Sequence, residues 1–165
     1  SPLHFLSSGV ARTEVRCPRV LALLVDSATT DCLSRAGAPL IVIAGAKWGT
    51  GSPRGWAVKG TVLLGARVLI AARLERTHRS KLVGMGVLPL EFAKPDAAAS
   101  VGLTGGELFD IEGIANLRPR GELRAFALGE DGEKSLRAVE RIDTRGELEC
   151  FEHGEILRYV LRQLP

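Results

Sequence analysis

A glycine-rich segment carries the residue types in this chain that are best suited to chemistry. Residues 49–54 read G-T-G-S-P-R and follow closely on the apolar, β-branched residues 39–44. This order is typical of strand, loop and helix, with Ser52 as the helix N-cap and Pro53 as the first helical residue. Gly51 would let the backbone approach a ligand closely, while the free amides and positive dipole end of the helix face that ligand.

The ligand that such a helix start favours is an anion. Arg54 adds a planar guanidinium that can hold a carboxylate through two parallel hydrogen bonds, although most arginines on a protein surface are simply solvated. Ser52 also has two interpretations. It can cap the helix, which stabilises by about 1 kcal/mol, or it can act as a base, because the amides, the dipole and the guanidinium favour its ionised form. The residues alone favour the cap.

The elements around this segment alternate between strands and helices. The strands are short and apolar, as parallel strands covered on both faces are, and the connections fit right-handed crossovers. Pro89 interrupts the third strand, so we expect that strand at an edge or a bend. The first helix places Trp56, Val58, Val62 and Leu63 near one side. The predicted elements are a strand at 40–44, a helix from Ser52 to Gly65, a strand at 67–72, a helix at 74–83 ended by the turn 84–86, and a strand at 87–92.

The two ends of the chain differ in character from this part. At the start we expect an irregular arm with room for one short strand at residues 1–19, then a strand at 20–25 and a short helix at 28–36. After a connector at 93–100, the second half predicts short strands at 107–112, 122–128 and 134–142, a hairpin turn at 129–132 and an amphipathic helix at 155–164. A parallel half followed by a mostly antiparallel half predicts an α/β fold.

Length and composition indicate one globular domain. The chain has 165 residues, 45% of them hydrophobic and 25% charged, and its net charge of +3 is spread along the sequence. Cys17, Cys32 and Cys150 are far apart and form no C-x-x-C pair, so no zinc site is predicted. Three thiols cannot all pair, which favours a reducing, cytoplasmic compartment. The apolar runs are too short to cross a membrane.

Five motifs together resemble the C-terminal swivel domain of the aconitase superfamily, and most of all its branch of bacterial aconitases and iron-regulatory proteins. They are G-T-G-S-P-R (49–54), E-R-T-H-R-S-K-L-V-G-M-G-V-L-P-L-E-F (75–92), L-T-G-G-E-L-F-D-I (103–111), R-I-D-T (141–144) and H-G-E-I-L-R-Y-V-L-R (153–162). The resemblance implies the swivelling β/β/α architecture that the small subunit of isopropylmalate isomerase also has. It places a weakly matched arm and short helix at 1–37 and the swivel domain at 38–165.

The resemblance also implies roles for the glycine-rich segment. In the family, the serine matching Ser52 removes the proton next to a carboxylate during dehydration, and the arginine matching Arg54 binds a substrate carboxylate. For Ser52 the role of base is therefore favoured over that of helix cap, and for Arg54 the role of carboxylate clamp is favoured over that of a solvated surface arginine. Gly51 and Pro53 would contact the same substrate. Pro53 stands where the family usually has a second serine, and Gly55 where it often has an acidic residue.

The activity implied is the isomerisation of citrate and isocitrate through cis-aconitate. In the family, three cysteines of other domains hold a [4Fe-4S] cluster, and nothing in this chain matches them. We therefore expect that the chain itself binds no cofactor and is inactive alone. Its expected partners are the cluster-bearing domains 1–3, in the same polypeptide or as a separate subunit, and a tricarboxylate substrate.

A binding module without catalysis is the alternative, either an RNA-binding relative of the iron-regulatory proteins or a diverged remnant. The basic balance, Pro53, Gly55 and the unmatched first residues favour it, as does Lys81, which replaces the asparagine usual in its motif. RNA binding is the less favoured function.

The second helix carries a run of basic residues, which are Arg76, His78, Arg79 and Lys81. We expect these residues to form a solvated face, and we expect the histidine to have a structural role and not a catalytic one.

Overall fold

The computed structural model describes residues 14–23, 40–46, 55–93 and 98–154. Their elements are β1 (Glu14–Leu23), β2 (Leu40–Ala44), α1 (Gly55–Leu63), β3 (Ala66–Ala71), α2 (Arg76–Gly84), β4 (Leu88–Phe92), α3 (Ala98–Val101), β5 (Leu108–Glu112), a 3-10 turn (Ile114–Asn116), β6 (Glu122–Gly129), β7 (Gly132–Glu140) and α4 (Arg145–Glu152). The predicted helices at 28–36 and 155–164 lie outside these residues.

The seven described strands close into a barrel in the order β1-β2-β3-β4-β7-β6-β5. Strands β1 to β4 are parallel to one another, and the remaining pairs are antiparallel. β1 closes the barrel because it pairs with β2 on one side and with β5 on the other. The parallel half and the antiparallel half predicted from the sequence are both present.

Two apolar clusters account for the continuous hydrophobicity of the parallel strands. One fills the barrel and includes Ile41 and Ile43, while the other lies between the sheet and the helices and includes Val42 and Ala44. β2 is thus buried on both faces, which is why its apolar residues do not alternate with polar ones. The predicted strand at 40–44 is confirmed residue by residue.

Of the edge or bend expected at Pro89, the edge is wrong. β4 lies inside the sheet, where Pro89 is in register with Leu69 of β3. On its other side the carbonyl of Pro89 accepts from the amide of Arg141 (2.9 Å), but proline has no N–H to donate in return. The carbonyl of Arg141 accepts instead from Nη1 of Arg79, also at 2.9 Å. A buried side chain therefore supplies the missing bond of the ladder.

The first strand starts earlier than predicted. β1 begins at Glu14, within the arm for which only one short strand was expected, and runs without a break to Leu23. Its register against β5 shifts between Arg16 and Arg19, the interval that contains Pro18. A proline is tolerated in a strand at such an irregularity, and it also obscures the strand in the sequence.

No helix was predicted for the residues of α4. Thr144 is its N-cap, and the Thr144 hydroxyl accepts a hydrogen bond from the amide of Glu147 (3.2 Å). The signal was present, because T-R-G-E at residues 144–147 has the spacing of a capping box. Here the Glu147 carboxylate accepts from the amide of Asp143 (3.0 Å), one residue before the cap.

Candidate functional site

The carboxyl end of β2, where the chain enters the glycine-rich segment, lies at the carboxyl edge of the parallel strands. β2 ends at Ala44, whose carbonyl accepts from the amide of Ala72 (3.1 Å), one residue beyond β3. α1 must run back towards the amino edge, because β3 starts there only two residues after α1 ends. The amino end of α1 therefore points to the carboxyl edge, where ligands of α/β sheets commonly bind.

The four residues predicted for this site are themselves outside the described part of the chain. They are Gly51, Ser52, Pro53 and Arg54, so their arrangement around an anion stays a prediction. The structure describes the strand that enters this segment and the helix that leaves it, from Gly55 onward.

Helix α1 is anchored by buried residues within it and by the turn that follows it. Val58 and Thr61 are buried, and Val58 packs in the outer apolar cluster. Gly65 ends the helix with a left-handed backbone (φ 91°), and its carbonyl accepts from the amide of Leu40 (3.1 Å). Leu63 was predicted on the same side as Val58, but Val58 is buried and Leu63 is 75% exposed. The anchoring determines where α1 begins relative to the carboxyl edge.

The amino end of α2 lies at the same edge but is already occupied. The Glu75 carboxylate caps this helix and accepts from the amide of His78 (2.8 Å). Hydrogen bonds from the backbone of Thr77 and His78 lower the pKa of Glu75, so the carboxylate is charged. A second anion would be repelled there.

The basic residues of α2 do not form one solvated face. Arg79 is only 4% exposed, and its guanidinium meets both carboxylate oxygens of Glu147 on α4 at 2.9 and 3.0 Å. Nε of Arg79 lies 3.4 Å from the Asp143 carboxylate. The expectation of solvation is therefore wrong for Arg79 and for His78, which are both buried, whereas Arg76 is exposed. Arg79 joins α2 to α4.

Glu147 is the acidic partner in this contact. Burial alone would raise its pKa, but the hydrogen bonds from Arg79 and from the amide of Asp143 outweigh burial and hold the pKa at about 2. Ser80 adds a hydrogen bond from its hydroxyl to the same carboxylate (3.1 Å). Glu147 is thus ionised throughout the physiological pH range.

His78 is 3% exposed. Burial lowers its pKa, more than the nearby Glu75 carboxylate raises it, so the ring is neutral at pH 7. A buried, neutral imidazole on the inner side of α2 supports the structural role predicted for this residue.

The L-T-G-G-E motif forms a turn around a buried carboxylate. Glu107 is 1% exposed and accepts hydrogen bonds from the amide of Thr104 (2.6 Å), the hydroxyl of Thr104 (2.9 Å) and the amide of Gly105 (2.8 Å). Burial acts to raise the pKa of Glu107, but these bonds together lower it below its ordinary value. The motif is explained by this turn, with no ligand required.

Arg141 of the R-I-D-T motif lines a groove of about 380 Å³ beside β4 and β7, whereas Ile142 is buried in the core. Nη1 of Arg141 lies 2.5 Å from the Glu91 carboxylate, and its Nε lies 3.4 Å from Asp143. Arg120 also reaches Asp143, at 3.2 Å. The Glu91 carboxylate accepts in addition from the amide of Leu74 (2.8 Å). The charges of the groove are balanced by one another.

Within the described residues, no three His, Cys, Asp or Glu side chains converge in a way that could hold a metal ion. Cys150 is a half-buried free thiol on α4, and burial together with Glu149 and Glu147 raises its pKa. Among the helices that the model describes, none has the length and apolarity to cross a membrane.

Comparison with known proteins identifies the family of this chain. The family model described as "Aconitase C-terminal domain" matches residues 27–95. Aconitate hydratase A of Corynebacterium efficiens is 52% identical over 134 residues, which is 78% of this chain and 14% of that protein. This chain contains an aconitase C-terminal domain. The corresponding enzyme of Thermus thermophilus is 51% identical over 126 residues, covering 76% of the aconitase-like chain and 14% of the relative.

A relative with another name is almost as similar to this aconitase C-terminal domain. The phosphinomethylmalate isomerase of Streptomyces viridochromogenes is 49% identical over 132 residues, again 78% of the chain and 14% of the relative. The chain thus spans about one seventh of the length of these curated relatives.

A solved structure supports the fold. The 3-isopropylmalate dehydratase (leuD) of Methanocaldococcus jannaschii superposes with a TM-score of 0.57 at 17% identity, covering 75% of this chain and 64% of that one. This likeness confirms the predicted α/β swivel-domain fold. The division of the aconitase-like chain at residue 37 stays a prediction; the family model begins at residue 27, and β1 is part of the barrel.

Proposed function

We propose that this aconitase C-terminal domain is the swivel domain of a hydro-lyase and supplies one wall of its active site. The supporting observation is the path of the chain at the carboxyl edge. β2 leads into G-T-G-S-P-R, and α1 leaves that segment with its amino end directed to the edge. At the neighbouring helix, by contrast, Glu75 already takes the corresponding position.

In this proposal Ser52 is the base and Arg54 the carboxylate clamp. Ser52 takes the proton from the carbon next to a substrate carboxylate, and the amides and dipole of α1 stabilise its ionised hydroxyl. Arg54 holds that carboxylate through its planar fork. Gly51 allows close approach of the backbone, while Pro53 removes one amide donor and leaves the clamp more dependent on Arg54.

The proposed substrate is a hydroxy acid with several negative groups. Citrate and isocitrate, interconverted through cis-aconitate, are the first candidates, because several similar relatives are named aconitate hydratase A. The similarity to phosphinomethylmalate isomerase is nearly the same, so overall identity does not choose between these substrates. What such substrates share is a removable proton beside a carboxylate, which is the feature that Ser52 and Arg54 would recognise.

The proposed partners are the cluster-bearing domains 1–3 of an aconitase, in one polypeptide or as a separate subunit. The described residues offer no ligand set for a [4Fe-4S] cluster, so these domains would have to hold it. The chain alone would then be inactive, because it provides the base and the clamp without the group that acts on the substrate hydroxyl.

A chimera tests the proposal. The matching domain of a full-length related aconitase is replaced by this chain, and turnover of cis-aconitate is measured for the chimera and for its Ser52→Ala variant. We expect kcat to fall by about two to four orders of magnitude with little change in KM, because the base acts in the transition state. Ser135→Ala, at an exposed position on β7, is the control. Near-full activity of Ser52→Ala would show that Ser52 is only a helix cap.

A further inference from the structure

Glu140 is a carboxylate in the interior of the barrel. It is the last residue of β7. In this strand Leu136, Ala138 and Glu140 are buried on the inner face, and the residues between them are more exposed. Glu140 is 0% exposed and pairs across the sheet with Leu90, whose side chain belongs to the core of the barrel. An acidic residue thus occupies a position that the pattern of the strand assigns to an apolar one.

The carboxylate of Glu140 lacks the partners that buried carboxylates normally have. Within the described part of the chain, neither of its oxygens accepts a hydrogen bond of normal length. Glu107, the other fully buried acid, accepts three. An ionised carboxylate without partners in an apolar interior is very costly, so the neutral acid is the form that this position favours.

The turn at residues 118–121 covers Glu140. A Cβ on Gly121 would lie 3.7 Å from Oε2 of Glu140. The turn is bonded to the end of β7 on both sides of this residue, because the amide of Glu140 donates to Gly121 (2.8 Å) and the amide of Arg120 donates to Ile142 (3.1 Å). Arg120 has a left-handed backbone (φ 61°), which costs a non-glycine residue about 1 kcal/mol.

The charged groups around Glu140 are engaged elsewhere or exposed. Arg118 and Arg120 are exposed on the turn, and Nε of Arg120 lies 3.2 Å from Asp143. On β4 and after β7, the charged groups form the outer network of Glu91, Arg141 and Asp143, and Glu122 of β6 is exposed. Burial raises the pKa of Glu140 to about 7, and the nearby amide of Arg118 offsets only part of that effect.

We propose that Glu140 is held uncharged in the folded domain and that its ionisation releases the turn at residues 118–121 from the end of β7. The turn is therefore a pH-sensitive latch. Its release lets water reach the carboxylate, and the strained backbone of Arg120 makes this turn the part of the covering that opens most easily.

Two measurements on the full chain test the latch. The first is an NMR titration of the Glu140 side-chain carboxyl carbon in the unmodified protein, with an expected midpoint near pH 7. The second is the pH dependence of unfolding. A carboxyl whose pKa is higher in the folded state stabilises fully below its unfolded pKa of 4.5 and loses that contribution as pH rises to about 7. Between pH 5 and pH 8 we expect an increase of roughly tenfold to a hundredfold in the unfolding equilibrium constant relative to Glu140→Gln.

Hydrogen exchange locates the opening. The amides of Arg120, Gly121 and Glu140, corrected for intrinsic exchange rates, should lose protection above pH 7 in the unmodified chain and keep it in Glu140→Gln. Glu107→Gln is the matched control, since its pKa is lowered and it should leave the slope between pH 5 and pH 8 unchanged. A carboxyl midpoint below pH 5.5, an equal slope in Glu140→Gln, or unchanged protection of the three amides would each overturn the proposal.

Discussion

Two arginines, Arg54 in the glycine-rich segment and Arg79 in the basic run of α2, could each bind a ligand or face solvent as far as the sequence alone shows. Arg79 does neither, because the Glu147 carboxylate of α4 receives its guanidinium in a buried contact. Arg54 precedes α1, whose amino end points to the carboxyl edge of the sheet. We expect that Arg54 faces an anion there.

A titration with citrate tests the role of Arg54. Amide shifts should concentrate at residues 51–55, and Arg54→Ala should abolish them, because amides, helix dipole and guanidinium act at one point. Arg54→Lys should restore binding only in part, since an ammonium lacks the bidentate fork. The affinity should be weak, as one wall of a pocket leaves most of the ligand in water. Shifts centred on Arg79 instead would place the site elsewhere.

The Glu147 carboxylate makes the stability of the chain depend on pH in the acid range. Its pKa of about 2 is lower than the unfolded value of 4.5, so its contribution is present above about pH 4.5 and is lost as pH falls towards 2. Glu147→Gln should lower the free energy of unfolding at pH 6 by about 2 to 4 kcal/mol, because buried Arg79 loses the carboxylate that holds it through two hydrogen bonds and keeps only the longer ionic contact with Asp143. The difference between the two proteins should shrink from pH 5 to pH 2. Urea unfolding measures both, and Glu152→Gln, exposed on the same helix, should show neither effect.

At the scale of elements, the turn G-M-G at residues 84–86 connects α2 to β4 with two glycines of different importance. Gly86 has a positive φ of 74°, and a Cβ there would lie 2.1 Å from the carbonyl oxygen of Gly154. Gly84 is the last residue of α2, and a Cβ on it would meet nothing within 4 Å. The chain after α4 therefore approaches the turn at Gly86 and not at Gly84.

The two glycines give a matched pair of variants. Gly86→Ala should lower the free energy of unfolding by more than about 2 kcal/mol, since it combines a left-handed alanine with a backbone clash. Gly84→Ala should be neutral or raise it by up to about 1 kcal/mol, because alanine favours the helix. Thermal or urea unfolding distinguishes the two. Equal effects would mean that Gly154 does not approach Gly86 in solution.

At the scale of the whole molecule, the chain spans only 14% of each aconitase-like relative, and its net charge is +3. The described cations do not form one continuous basic face, because Arg79, Arg120 and Arg141 are paired with acids. Arg124 and Arg137 do stand directly opposite each other on the exposed faces of β6 and β7.

The RNA-binding alternative is tested on the same chain. We expect weak association with no sequence preference that falls steeply between 50 and 200 mM salt, because phosphate contacts alone would carry it. Filter binding or fluorescence anisotropy with several stem-loops at physiological salt measures this. A tight complex with one particular stem-loop would favour the RNA-binding function over the hydro-lyase.

Features that depend on neighbouring residues could be predicted from the sequence. The apolar run of β2, the hairpin between β6 and β7 and the glycine turn after α2 are short-range patterns, and the structure has each of them. The resemblance of five motifs also identified the family and the fold. The position of G-T-G-S-P-R between a strand and a helix followed from the same local signals, because turn and cap chemistry act over a few residues.

Only the tertiary structure decided which residues that lie far apart in the chain contact one another. Arg79 is buried because Glu147, 68 residues later, reaches it from α4. Pro89 lies inside the sheet because the barrel closes around it and Arg79 supplies the bond that proline cannot. Glu140 has the alternation of an inner residue, but only barrel closure and the turn at 118–121 remove its carboxylate from water. Local patterns determine the elements, whereas burial and pairing of charges depend on which elements meet.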